Sequence, residues 1–163
     1  MIILGIDPGL ATIGYGVIDV DKNGKMDCLS YGCIKTESYH SLSTRLRIIY
    51  EDMKEIIEKY SPKQVSIEKI FFNKNVTTGI SVSHARGVIL LAVEQSEIPI
   101  TEYTPLQLKS KVVGYGHAEK KQVQYMVKNI LSLEEVPKPD DAADGLALAI
   151  CYAYANRGRL YKG

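Results

Sequence analysis

The opening stretch, Ile2-Ile3-Leu4-Gly5-Ile6-Asp7, constrains this chain most: a continuous apolar run that stops at an acid and the turn signal Asp7-Pro8-Gly9. Such a run reads as a buried strand whose last residue is a carboxylate placed at the strand's end. It has no basic leader and meets Asp7 at once, so it does not read as a signal peptide. Residues 13–20 form a second expected strand, in which Gly14 and Gly16 mark the close approach of another backbone or of a ligand. Asp21-Lys22-Asn23-Gly24 is a hairpin turn, and residues 25–35 return as a third strand. The opening is therefore an antiparallel three-strand meander.

After the meander the period changes. Leu46, Ile49, Tyr50, Met53, Ile56 and Ile57 recur at helical spacing within an expected helix over 43–60, which Ser61-Pro62 ends. A short strand over 64–68, a long helix over 77–97 and a strand over 100–103 follow. Two helices, 105–113 and 119–131, are split by Gly114-Tyr115-Gly116, and Pro137-Lys138-Pro139 leads into an alanine-rich helix over 140–156. The order β-β-β-α-β-α-β-α-α-α implies an α/β fold: a mixed five-stranded sheet, three-strand meander plus two parallel strands, with helices on both faces. No repeat or linker interrupts residues 1–163, so one domain is expected.

Two aspects of composition narrow the function. The three cysteines, Cys28, Cys33 and Cys151, are scattered and form no Cys-x-x-Cys pair, which argues against a disulfide framework or structural zinc and for a reducing, cytoplasmic setting. No uninterrupted apolar run approaches the ~20 residues that span a bilayer, so no membrane partner is expected. The formal net charge of +1 hides an uneven distribution. Between Pro105 and Lys128, Lys109, Lys111, Lys120, Lys121 and Lys128 face one acid, Glu119, and the tail adds Arg157, Arg159 and Lys162. That local basic excess suits a polyanion.

The acids point to chemistry. Asp7 and Glu68 each end a strand; if those strands are parallel neighbours, both carboxylates emerge at one edge of the sheet, where open α/β sheets place their ligands. Asp141 and Asp144, three apart near the start of the last helix, share a face that could join them. Taken singly, most have a structural explanation: Asp7 in a turn, Asp141 at a positive helix end beside Asp140 as an N-cap, Glu68 on the surface; Asp144, among the small or apolar Ala143, Gly145, Leu146 and Ala147, is the hardest to explain that way. Together, four converging carboxylates repel one another unless a cation compensates, which makes them a poor stabilising device and a good metal site. Oxygen ligands suit Mg²⁺ or Mn²⁺, and two such ions ~4 Å apart serve phosphodiester hydrolysis. His40, His84 and His117 are dispersed and read as surface or helix residues.

Several segments in order resemble the RuvC family of Holliday junction resolvases. They are Gly5-Ile6-Asp7-Pro8-Gly9 with Gly14-Tyr15-Gly16-Val17; Glu68-Lys69-Ile70-Phe71-Phe72-Asn73-Lys74-Asn75; Ala85-Arg86-Gly87-Val88; the stretch from Val112 to Val123; and Asp140-Asp141-Ala142-Ala143-Asp144-Gly145-Leu146-Ala147. The resemblance implies a ribonuclease-H-like fold and a nuclease holding two Mg²⁺ ions per subunit, with Mn²⁺ able to substitute. Asp7, Glu68, Asp141 and Asp144 would be both catalytic and metal ligands. It further implies a homodimer acting on four-way junction DNA, nicking two strands symmetrically to leave 5′-phosphate and 3′-hydroxyl ends, alongside the RuvA–RuvB branch-migration complex.

Phe71 matches the family's base-stacking aromatic, a contact worth about 1–3 kcal/mol. Lys109 and Lys120 match lysines near the scissile phosphate, and with Lys111 and Lys121 they make the expected DNA-binding set. The helix over 77–97 matches the dimer helix. This chain departs from the family pattern at Ile13, His84 and Gly145, the last standing where alanine is usual and costing helix stability. An actin-like nucleotide-binding domain would need a second lobe. A related RNA-processing nuclease is the alternative kept; a junction-binding module without cutting would be favoured by loss of an acid, and all four are present.

Overall fold

The computed structural model describes residues 1–70 and 76–160. Its strands are β1 (Ile2–Asp7), β2 (Thr12–Val20), β3 (Met26–Lys35), β4 (Gln64–Glu68) and β5 (Ile100–Tyr103). They form one sheet in the order β3-β2-β1-β4-β5, antiparallel from β3 to β1 and parallel from β1 to β5. This is the meander plus parallel strands that the element order implied. The hairpin turn also forms as expected: Asp21 Oδ1 accepts from the backbone N–H of Asn23 and Lys25, and Gly24 takes a φ of 89°.

Both faces of the sheet are covered. On one, Leu4, Ile6, Val17, Val65 and Ile67 pack against α1 (Leu42–Tyr60) and α2 (Val76–Gln95) through Ile49, Met53, Ile57, Ala85, Ile89 and Val93. On the other, Ile3, Ile18, Val20 and Met26 pack against α3 (Pro105–Val112), α4 (Lys120–Ile130) and α5 (Asp140–Ala155). A short α6 (Arg157–Leu160) follows, where a single helix over 140–156 was expected. Each of the fully buried Ile and Leu side chains contributes roughly 1.5–3 kcal/mol of transfer free energy.

The caps follow local chemistry. Ser41 accepts from Thr44 N at the start of α1, one residue earlier than the periodicity suggested. Thr104 and Gln107 form a reciprocal capping box with Pro105 in the first turn of α3. At α5 the expected cap is wrong by one residue. Pro139 is the N-cap and Asp140 is the first helical residue, so its carboxylate is free to bond elsewhere.

The glycines decide how α5 docks. A Cβ on Gly5 would lie 1.9 Å from the carbonyl oxygen of Gly145, and one on Gly16 would lie 2.5 Å from Leu146 N. The approach marked by Gly14 and Gly16 is thus that of a helix backbone. Gly145 itself would place a Cβ 2.5 Å from the Tyr15 carbonyl carbon. Its helix-propensity cost therefore comes with backbone-to-backbone seating of α5 on β1 and β2. Ser66 Oγ donates to Leu148 O at 2.6 Å and fixes the same helix over β4.

Helix α2 is long and apolar enough, by length and composition, to cross a bilayer, which the absence of an uninterrupted apolar run had not suggested. It nonetheless belongs to the globular packing. Ala85, Ile89 and Val93 are fully buried, and Arg86 Nη2 lies 3.1 Å from Glu102 Oε1 on β5. That pair is an ionic contact off the hydrogen-bonding line, for Arg86 Nε and Nη2 are buried without a hydrogen-bond partner. The outward face of α2 carries Ile80 and Leu91, each about half exposed, with His84 and Gly87 between them.

Candidate active site

The register of β1 and β4 sets the first two acids. Ile6 pairs with Ile67, so the next residues, Asp7 and Glu68, leave the sheet side by side at the carboxyl edge. The docking of α5 adds the other two. Asp141 lies over Gly14, and carboxylate oxygens of Asp7, Asp141 and Asp144 all fall within 4.8 Å of one another. Glu68 is outside that triad but bonds to it, accepting a hydrogen bond from the Asp7 carboxyl. Among the described residues no histidine joins this group.

The electrostatics follow from crowding in a half-buried place. Burial, then the charges of Glu68, Asp144 and Asp141, push the Asp7 carboxyl up to about 9. Glu68 and Asp144 are also raised, chiefly by burial. For Glu68 the hydrogen bond from Asp7 and the charges of Lys109 and Lys120 work against the rise; for Asp144, Lys120 does. The metal-free cluster thus keeps a proton on Asp7 and borrows positive charge from lysine. An all-oxygen donor set of carboxylates this close together fits Mg²⁺ or Mn²⁺.

Two of the four lysines reach the acids. Lys109, one turn into α3, and Lys120, the first residue of α4, line a cleft of about 170 Å³ with Glu68 and Asp144. Lys120 Nζ lies 3.5 Å from Asp144 Oδ2 and 3.6 Å from Asp140 Oδ2. Burial alone would lower the Lys120 ammonium, but Asp144 and Asp140 outweigh it and hold it above its usual range. Lys111 instead borders a separate hollow with Leu106, Gln107, Ser110, Gly116 and His117. Lys121 is exposed on α4. Phe71 lies outside the described residues.

Three neighbours of the site, Cys33, Asp140 and Gln124, were not among the expected site residues. Cys33, on β3, lies beside the first turn of α5, and its thiol is raised by burial and by the charge of Asp141. Only the pairing of Gly14 with Cys33 brings it there. Asp140 and Gln124 are joined by a 3.0 Å bond from Gln124 Nε2 to Asp140 Oδ1. The Asp140-Asp141 doublet was visible in the sequence, but the cap it suggested was not its role.

Comparison with known proteins agrees with this geometry. The family described as "Crossover junction endodeoxyribonuclease RuvC" matches residues 3–152. A crossover junction endodeoxyribonuclease RuvC from Finegoldia magna is 51% identical over 157 residues, covering 96% of this chain and 95% of the relative. The structure of Thermus thermophilus RuvC matches with a TM-score of 0.90 at 34% identity, covering 97% of each chain. That of T. thermophilus RuvC in complex with Holliday junction substrate matches at 0.89 and 30% identity, covering 98% of each. The fold is the ribonuclease-H-like one that the resemblance implied.

Proposed function

This chain belongs to the RuvC family of crossover junction endodeoxyribonucleases, and from that membership we propose that it resolves four-way DNA junctions by paired, symmetric, metal-dependent nicks that leave 5′-phosphate and 3′-hydroxyl ends. The reaction serves DNA recombination and repair, in the cytoplasm. The observation that carries the reading is the convergence of Asp7, Asp141 and Asp144 within 4.8 Å, with Glu68 bonded to Asp7, beside Lys109 and Lys120.

Asp7, Glu68, Asp141 and Asp144 are the groups that would hold two Mg²⁺ ions, with Mn²⁺ able to substitute. When bound, such a pair supplies Lewis-acid stabilisation of the phosphate and a nucleophile at neutral pH. The protein's own part is positional and electrostatic. Asp7, whose carboxyl is held above its usual range by burial and by its acidic neighbours, would have to be ionised to act as a ligand. Lys109 and Lys120 place ammonium charge at the cleft wall, where it offsets charge on the scissile phosphate. Lys111 and Lys121 extend the basic surface toward the duplex arms, and Phe71 stacks on an unpaired base near the crossover.

Two copies are needed for two nicks. The half-exposed Ile80 and Leu91 on α2, separated by Gly87, make a face suited to a second copy of the same helix. Leu91→Glu is expected to convert the dimer to a monomer in sedimentation and to uncouple the nicks while each subunit folds. A Leu91→Glu protein that sediments as a dimer would move the interface elsewhere. The RuvA–RuvB complex is the expected partner on the same junction.

The test of function is cleavage of a synthetic mobile four-way junction, with linear duplex and RNA–DNA hybrid as controls, in Mg²⁺ and in chelator. Paired symmetric nicks on the junction alone, lost in chelator, are expected. Preferential cutting of hybrid or structured RNA would instead support the RNA-processing alternative.

A further inference from the structure

Beside the acid triad, helices α4 and α5 bond to each other through four residues, two from each, both pairs spaced i, i+4: Lys120 and Gln124 on α4, Asp140 and Asp144 on α5. Lys120 spans both acids, at 3.6 Å from Asp140 and 3.5 Å from Asp144. Those distances suit one ammonium shared between two carboxylates. Asp140 is held from its other side, where its Oδ1 accepts from Gln124 at 3.0 Å. Asp144 belongs to the acid triad; Asp140 does not.

We propose that Asp140, oriented by Gln124, is a positioning residue for Lys120 in junction cleavage. The inference rests on the reading of the acids as the metal site. Without a divalent ion, Lys120 is the counter-charge of Asp144. A divalent cation held by Asp144 would repel the ammonium, which would then be free to swing into solvent on its long stem. Asp140 is the anchor that remains, and Gln124 keeps its oxygen aimed at Nζ. Lys120 then stays at the cleft wall beside Lys109, where a phosphate would meet it. Without Asp140, Asp144 is the carboxylate left within ion-pair distance of the ammonium among the described residues, and the ammonium would compete with a metal for it.

The test is Asp140→Asn, which keeps the shape and removes the charge, made in the wild-type and the Lys120→Ala proteins. A surface acid with no such role would, when removed, tighten binding of the DNA polyanion and leave kcat unchanged. The expected result differs in kcat, which on a four-way junction at saturating Mg²⁺ falls about five-fold while KM stays level or drops. Calorimetric titration of the DNA-free protein with Mn²⁺ should show binding weakened about three-fold, with little or no weakening in the Lys120→Ala background. Gln124→Ala, which changes no charge, should lower kcat in the same direction. Equal effects of Asp140→Asn with and without Lys120, or an unchanged kcat, would overturn the role. If the unaltered protein neither takes up Mn²⁺ nor cuts the junction, the reading of the acids fails instead.

Discussion

Asp7→Asn is expected to abolish junction cleavage, by at least about 10³-fold in kcat, while leaving the junction bound and making the metal-free protein more resistant to heat. The loss follows from the position of Asp7, which lies within reach of Asp141 and Asp144 and bonds to Glu68. The gain in stability follows from its proton. An acid whose folded-state pKa stands above its unfolded value brings stability that is complete below the unfolded value and is lost as pH rises through the folded one. For Asp7 that window runs from its ordinary 3.8 up to about 9. The metal-free protein should therefore weaken steadily as pH is raised across it.

Asparagine imitates the protonated acid: its amide can donate to Glu68 as the carboxyl does, and it has nothing to titrate. Near pH 8 the variant should melt clearly above the wild type, with a difference that vanishes below about pH 4. Thermal melts in chelator at a series of pH values measure this. Added Mg²⁺ should then raise the melting temperature of the wild type and leave the variant nearly unmoved. A variant that melts below the wild type at pH 8 would mean that the cluster is a structural device.

Gly14→Ala is expected to cost about 3–4 kcal/mol of stability and, in whatever fraction folds, to lower cleavage at least about 100-fold. A Cβ at this position would sit 1.8 Å from the Asp141 carbonyl oxygen and 2.3 Å from its carbon. Neither atom is the end of a flexible side chain, so the first turn of α5 must lift. That turn carries Asp141, and the contacts of Gly5, Gly16 and Gly145 pin the rest of the helix to the sheet. The strain therefore concentrates at the site. Gly158→Ala, in α6, is the control: no atom lies within 4 Å of its added Cβ, and in a helix the change should cost nothing and add up to about 1 kcal/mol. Melts of the two variants against the wild type decide the matter. Equal melting of Gly14→Ala and wild type would show that α5 sits farther from β2.

The two kinds of result mark how far the residues could be read without a fold. Strand and helix identity rests on spacing within a few residues: the apolar run before Asp7, the helical period from Leu46 to Ile57, the Asp21–Gly24 turn. Those interactions are local, and the observed elements match the expected ones to within a residue or two. The strand-end acids were equally legible, because two parallel strands must deliver their last residues to one edge. Asp140 was misread because its sequence position fits a cap, whereas its hydrogen bond runs to a helix beginning twenty residues earlier.

By itself, then, the sequence determined the order of elements, the mixed sheet and the family, and it named the acids that the fold brings together. Tertiary structure alone decided which groups meet across elements: that α5 lies backbone to backbone on β1 and β2, that Lys109 and Lys120 reach the cleft while Lys111 borders another hollow, and that Gln124 and Lys120 converge on Asp140. The physical reason is range. Backbone propensity and side-chain period act over a turn or a strand, but a helix's depth and rotation on a sheet are set by the summed contacts of distant residues, and a shift of an ångström there decides which charges pair.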